Sequence, residues 1–167
     1  MRSHLAMVVA GAVGLLGSAA CTGGLERARA EANETSAIAS LRAIVSAQVT
    51  FQAVCAGGLY APSLKMLGQP SAGAPNGFLG PDLATDPSVR RGYTIALVPG
   101  PASAEAPASC NGLAAGLAVR DYFVSASPSV AGAQYFAAVS DGRLYRSPQP
   151  IAPTFGTPPP APAVPVQ

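Results

Sequence analysis

Few side chains in this 167-residue chain have the chemistry of a catalyst or a metal ligand. His4 is the single histidine, and it lies in an apolar N-terminal segment whose removal leaves no imidazole to act as a general base. Cys55 and Cys110 are far apart in the sequence and lack the neighbouring Cys of a zinc-binding motif. These residue types predict that the chain is not an enzyme and holds no cofactor.

Carboxylates are the other candidates for chemistry. Asp82 and Asp86 flank a loop beside prolines, whereas Asp121 and Asp141 stand at the ends of predicted strands. We interpret Asp82, Asp86 and Asp141 as turn residues rather than as members of an acid/base pair. A calcium site built from loop oxygens stays open, since Ca²⁺ accepts carboxylates and carbonyls from irregular loops. The chain has no dense acidic run of the Asp-x-Asp-x-Asp type to favour it.

The composition limits the size of the domain and the kind of partner. Only 11% of the residues are charged and 6% are aromatic, so the length allows one modest domain with a small core. The net charge is +2 and Lys65 is the only lysine, which argues against a nucleic-acid partner. The run GLAAG, Gly112 to Gly116, lacks the Lys-Ser/Thr that follows a phosphate-binding loop. No small-molecule substrate is expected.

The N-terminus has the features of an export signal. Positive charge precedes an uncharged run from Leu5 to Ala20, which is short for a membrane span. Ser18 and Ala20 have the small size that signal peptidase requires. This pattern predicts a signal peptide at residues 1–20, cut before Cys21, and therefore a periplasmic or cell-envelope protein.

Two fates of Cys21 stay open, namely release of the chain or acylation as a lipoprotein anchor. A lipoprotein signal is cut at the same bond, although Ser18 stands where such signals usually carry Leu. With either fate, Cys55 and Cys110 remain as a pair in an oxidising compartment. We predict a disulfide between them rather than two buried thiols, with a stabilisation of about 4 kcal/mol in the chain-entropy model.

A long helix is predicted from about Leu25 to Val54. Its apolar face follows from positions that recur at three- or four-residue spacing, namely Ala37, Leu41, Ile44, Gln48, Phe51 and Cys55. Its first half is charged, and Gly57-Gly58 suits its end. The run Thr22-Gly23-Gly24 predicts an interruption between the signal segment and this helix.

The remaining chain predicts an α+β domain over residues 25–147. A loop-rich middle, with one helical turn in APSLKMLG, leads to three or four antiparallel strands in GYTIALVPG, DYFVSASPS, QYFAAV and LYR. Asp141-Gly142 predicts a hairpin turn before the last strand. Such a meander needs a helix over its apolar face, and the upstream helix has the length for it. The Pro-rich residues 148–167 predict a disordered tail.

Several separated motifs together resemble a known family. RARAEANETSAIASLRAIVSAQVTF (Arg27 to Phe51), GGLYAPSLKMLG, RRGYTIALVP and DYFVSASPSVAGAQYFAAVSDGRLYRS occur in the order seen in type IV pilin-like proteins and the major pseudopilins of type II secretion systems. The resemblance covers Arg27 to Ser147. It implies a pilin fold, in which a long N-terminal helix packs on an antiparallel sheet, and a non-enzymatic building block of envelope filaments.

One departure from the family bears on assembly. Family members carry a prepilin peptidase junction of the GFTLIE type, whereas the apolar segment here has no Phe and no Glu. We therefore expect an exported structural or accessory protein of a pilus or secretion system, whose protein partners belong to the cell envelope. Candidate partner contacts are the charged residues of the first helical half, Arg27, Arg29, Glu31 and Glu34.

Two alternatives stay open. The chain could keep true filament function if an upstream in-frame start encodes the missing junction. It could instead be a lipoprotein that binds an envelope partner through its Pro-rich tail or its Cys-bridged loop.

Overall fold

A computed structural model describes residues 18–166, with side chains from Gly23 onward. The predicted signal segment up to residue 17 lies outside this part of the chain. Two helices and six strands follow one another: α1 Ser18–Val54, α2 Leu64–Leu67, β1 Ser88–Arg90, β2 Tyr93–Pro99, β3 Tyr122–Pro128, β4 Tyr135–Val139, β5 Leu144–Ser147 and β6 Val164–Pro165. The α+β class predicted from the sequence is confirmed.

The sheet is an antiparallel meander in which each strand pairs with the next, in the order β1-β2-β3-β4-β5-β6. It has six strands, so the prediction of three or four is wrong. The four predicted strands form its centre, and the two additional ones are its edges. Both edges are short, and β6 contains Pro165, a residue that normally lowers the expectation of a strand.

Helix α1 begins earlier than the sequence predicts. It runs without interruption from Ser18 through Thr22, Gly23 and Gly24, where a break was expected. Each helical Gly costs about 1 kcal/mol relative to Ala, but adding a residue to an existing helix needs no new nucleation. The helical residues on either side therefore keep the two glycines in the helical conformation.

One face of α1 packs on the inner face of the sheet, as the helical spacing predicts. Leu41, Ile44 and Phe51 on the helix are fully buried. They belong to one core with the inward-facing strand residues, namely Tyr93, Ile95, Tyr122, Val124, Ala126, Phe136, Ala138 and Leu144. The alternation along β3 and β4 follows the two-residue period of a strand.

The outer face of the sheet is also buried. Phe123, Ala137, Val139 and Tyr145 form a second cluster, against which Val98, Ile151 and Ala163 pack. Ile151 and Ala163 belong to the Pro-rich tail, which crosses this face and ends in β6. This differs from the disordered tail that the sequence predicts. The reason is that the tail covers apolar strand residues which the helix, on the opposite face, cannot reach.

Gln48 fixes the segment that follows α1. Its side chain is fully buried, although it stands on the apolar face of the helix. Its Nε2 donates to the Ala61 carbonyl at 2.8 Å, and its Oε1 accepts from the Ala61 N–H at 2.9 Å. A buried peptide group of a loop therefore has both partners supplied by one side chain.

A disulfide ties the end of α1 to the loop between β2 and β3. Cys55 and Cys110, 55 residues apart, have their Sγ atoms at bonding distance. This is the pair that the cysteine count predicts. The Cys110 N–H also donates to the Cys55 carbonyl at 3.1 Å. The long loop after β2, which places Ala106, Leu113 and Ala118 in the core, is thereby also fixed covalently to the end of the helix.

Two glycines provide backbone conformations that the turns require. Gly57, with φ 62°, ends α1, and the following Gly58 N–H donates to the Gln52 carbonyl. Gly142, with φ 83°, lies in the predicted hairpin turn, where the Arg143 N–H donates to Asp141 Oδ1 at 2.8 Å. Both conformations are left-handed and favour glycine.

Replacing Gln48 should destabilise the domain. Gln48→Leu leaves the Ala61 N–H and carbonyl buried without partners, and we expect a loss of about 2 to 4 kcal/mol in the free energy of unfolding measured with urea. Gln52→Leu is the matched control, because Gln52 is only half-buried and its Nε2 donates to the Gly58 carbonyl, close to solvent. Its expected loss is below about 1 kcal/mol. Equal losses would show that the Ala61 bonds do not matter.

Removing the disulfide should also lower stability. For Cys55→Ala/Cys110→Ala we expect a loss of about 2 to 4 kcal/mol, because the unfolded chain regains the freedom of a long loop. Urea unfolding under non-reducing conditions measures it. Cys21→Ala is the control and should leave the midpoint unchanged. A reducing agent should destabilise the natural chain but not the double variant, and an equal effect on both would contradict the pairing.

Candidate interaction surface

The first part of α1 extends beyond the domain. Every described residue from Gly23 to Ala32 is exposed, and burial against the sheet begins only at Ala37. Ten exposed helical residues correspond to roughly 15 Å of helix. Leu25, the largest apolar side chain in this part, is 65% exposed. The helix therefore has an anchored half and a protruding half.

The four predicted partner contacts separate into two pairs. Arg27 and Glu31 form an ion pair, with Nε and Oε1 3.2 Å apart and side chains 84% and 69% exposed. Such an exposed pair contributes little stability, so it is free to exchange partners. Arg29 and Glu34 instead line a groove between the helix and the sheet end.

This groove has a volume of about 640 Å³ and two walls. The helix supplies Glu26, Arg29, Ala30, Asn33 and Glu34, and the opposite wall comes from Gly92, Tyr93, Pro128 and residues 130–133. Val130 is 66% exposed on that wall. The groove thus has an apolar wall beside charges of both signs, which is suited to an apolar side chain of a partner protein.

The β3–β4 loop that forms the opposite wall is held by polar contacts. The Tyr93 hydroxyl donates to the Gln134 carbonyl at 2.9 Å, and the Gln134 N–H donates to Glu34 Oε1 at 3.4 Å. Burial, with a smaller contribution from the charge of Glu34, raises the pKa of Tyr93 to about 12. These bonds fix the loop to the helix, so the groove is pre-formed.

A second, smaller cavity of about 340 Å³ lies at the other end of the sheet. Tyr60, Asp121 and Asp141 line it, but their polar atoms have structural partners. Tyr60 donates to the Ser140 carbonyl at 3.2 Å, and Asp121 Oδ1 accepts from Ser140 Oγ at 2.9 Å. Burial is the main cause that raises the pKa of Tyr60.

Asp82 and Asp86 also have structural partners in the loop where the sequence places them. Asp82 pairs with Arg90, and its carbonyl accepts from Ser88 Oγ at 3.0 Å. Asp86 Oδ2 accepts from the Lys65 N–H at 3.2 Å. Within residues 18–166 the structure brings together no group of three or more His, Cys, Asp or Glu side chains that could hold a metal.

Cys21 lies in the first turns of α1, but its side chain is outside the described part, so its acylation stays a prediction. Helix residues Gly23–Val54 are long and apolar enough to cross a membrane by length and composition alone. This is weak support for a membrane span, because a core helix or a signal sequence passes the same test. The disulfide suggests an exported protein.

The opposite wall of the groove was not found from the sequence. Residues 128–134, PSVAGAQ, have the composition of an ordinary connecting loop. The only available signal was Val130, an apolar residue between turn residues, where a polar one is more common. The groove itself exists only because this loop folds back to α1 over a separation of 100 residues, from Gln134 to Glu34.

The Tyr93 contact predicts a stability change at alkaline pH. The pKa of the folded state is above that of a free phenol, so the unfolded state loses its proton first and stability falls as the pH rises from about 10 to about 12. Tyr93→Phe removes this titration. Near neutral pH we expect the variant to be less stable than the natural chain, because the bond to the Gln134 carbonyl is lost. Between pH ~9 and pH ~11.5 the variant should lose less stability than the natural chain does. Urea unfolding midpoints of both proteins at pH ~9 and pH ~11.5 measure these losses. Equal losses of stability in the two proteins would contradict the prediction.

Comparisons with known proteins do not identify the chain. No family model, curated protein or solved structure matches it. The resemblance to pilin-like proteins therefore rests on the sequence motifs quoted above. The function must be argued from the surfaces that the fold presents.

Proposed function

We propose that this protein is a non-enzymatic, exported, pilin-like structural or accessory subunit of a type IV pilus or type II secretion-like envelope system. The observation that carries the proposal is the division of α1 into a buried half and a protruding half. A helix that extends past its own domain presents side chains to neighbours without disturbing the core. The motifs in Arg27 to Phe51 span this junction.

Three further features support this function. The groove beside the protruding half is large enough to accept side chains of a partner. Arg27 and Glu31 offer both signs of charge on the protruding half of the helix, which suits interfaces that select partners by charge. The disulfide suits an oxidising envelope compartment, where a small core gains from a covalent link.

The second candidate function is a periplasmic or surface lipoprotein that binds one partner and joins no filament. The preformed groove favours it, because a single concave apolar site fits one docking segment. Acylation of Cys21 would place the protruding helix next to a membrane. The two candidates differ in the partner, which is a pilus or secretion subunit in the first, copies of this chain included, and an envelope protein outside such a system in the second.

Site-specific photo-cross-linking distinguishes these functions. A photo-reactive residue at position 29 faces the groove, and the matched control at Arg42 is exposed on the anchored half of the same helix. For a structural or accessory subunit we expect cross-links from position 29 to other pilus or secretion subunits or to copies of this chain, and few from position 42. A cross-link to one envelope protein outside such a system would favour the binding module. Equal weak labelling at both positions would overturn both candidates.

The mass of the mature protein tests export. Cleavage before Cys21 leaves an N-terminal Cys, whose acylation adds the mass of its lipid chains. We expect one of these two species. A mature N-terminus inside a Phe-led apolar helix would contradict the signal-peptide prediction and restore true filament function.

A further inference from the structure

The outer face of the sheet requires a cover. Phe123, Ala137, Val139 and Tyr145 have less than 10% of their surface exposed, although neither helix of residues 18–166 packs on this side. Apolar residues of this size, if uncovered, would form a patch of the kind that marks an interaction site. The cover comes from the Pro-rich tail, so this face already works as a docking site for an extended segment.

The tail contacts this site at few points. Ile151 and Ala163 pack on the outer cluster, and Val166 packs at the edge of the inner core. Strand β6 pairs only Val164 and Pro165 with β5, and the Val166 N–H donates to the Leu144 carbonyl at 2.8 Å. These contacts define the site that any replacement for the tail must fill.

The tail is weakly attached, although the strand residues that it covers are apolar and buried. Eight of the twenty residues in 148–167 are Pro, which has no N–H to donate, and none of the twenty is charged. Sixteen residues, 148–163, connect β5 to β6, and most of them are exposed. Thr154 Oγ1 is buried without a hydrogen-bond partner among the described residues. Local opening of such a segment costs less than global unfolding.

We propose that the outer face of the sheet, with the edge of β5, is a docking site for the C-terminal tail of a second copy of this chain. Opening the tail uncovers Phe123 and Tyr145 together with the unpaired edge of β5. A neighbouring tail carries the same Ile151, Ala163 and Val164, so it fits the register that the chain's own tail occupies. Reciprocal exchange produces a closed dimer with two-fold symmetry.

The exchange depends on concentration, because the chain's own tail is always nearby. In dilute solution the intramolecular contact dominates. Where copies are held side by side, the local concentration of neighbouring tails reaches the order of millimolar, and exchange competes. The inference does not depend on the proposed envelope function, since it concerns the purified chain.

Disulfide trapping across the β5–β6 register tests the exchange. Arg146 and Val164 are directly opposite each other and both exposed, so substitutions there leave the core intact. In a Cys21→Ser background, Arg146→Cys and Val164→Cys are made on separate chains with different tags, mixed at high concentration and oxidised mildly. We expect a mixed-tag disulfide dimer whose yield rises with protein concentration.

Matched controls decide the outcome. Val89→Cys replaces Val164→Cys in the control mixture, because Val89 is exposed and lies in β1, at the edge of the sheet opposite β6. A mixed dimer no more abundant than in this control would overturn the proposal. The double variant Arg146→Cys/Val164→Cys on one chain should form an internal disulfide in dilute solution. Failure of that bond would show that the tail does not occupy the site and would also overturn it.

A peptide-binding measurement gives an independent readout on the uncovered site. A fluorescent peptide of residues 148–167 should bind the chain truncated after Ser147 and bind the full chain several-fold more weakly. Circular dichroism checks that the truncated chain is folded. Equal binding to both folded chains would contradict a shared site. If the truncated chain does not fold, the trapping experiment on the full chain decides alone.

Discussion

The contact between one face of α1 and the inner face of the sheet supports the other features of this protein. The side chains of Leu41, Ile44 and Phe51 are removed from water by this contact. Burial of each stabilises the fold by about 1.5 to 3 kcal/mol. The same contact orients the protruding half, because α1 continues through the junction without a break. The helical wall of the groove is therefore positioned by the core contacts of the anchored half of α1.

The sheet has two apolar faces, and the described part of the chain has one helix long enough to cover a face. In β3, Tyr122, Phe123 and Val124 are consecutive and all buried, so neither side of this strand can face water. The helix covers one side, and the tail must cover the other. This requirement explains why an uncharged, Pro-rich segment with little capacity for hydrogen bonding is nevertheless ordered on the domain. It also makes the tail the replaceable part, since its contacts are few.

The polar contacts and the disulfide mainly position segments that lie outside the long helix and the central strands. Gln48 fixes the chain after α1, the disulfide fixes the loop after β2, and Tyr93 and Glu34 hold the β3–β4 loop against the helix. The carboxylates that could have suggested chemistry are likewise engaged in turns and loops: that of Asp141 accepts from the Arg143 N–H, and that of Asp82 pairs with Arg90. The groove and the outer face of the sheet are thus both built on contacts between segments distant in sequence.

The local pattern of the sequence determined the parts that depend on near neighbours. Helical spacing marked the buried face of α1, two-residue alternation marked the four central strands, and Asp141-Gly142 marked their last hairpin. The cysteine count indicated which residues pair. Tertiary structure alone decided the two edge strands, the course of the tail and the second wall of the groove. These features depend on contacts between residues that are distant in sequence. Strand β6, for example, forms only where the edge of β5 and the otherwise uncovered Phe123 and Tyr145 provide partners. Likewise, the loop 128–134 becomes a wall only because Glu34, distant in sequence, receives the Gln134 N–H.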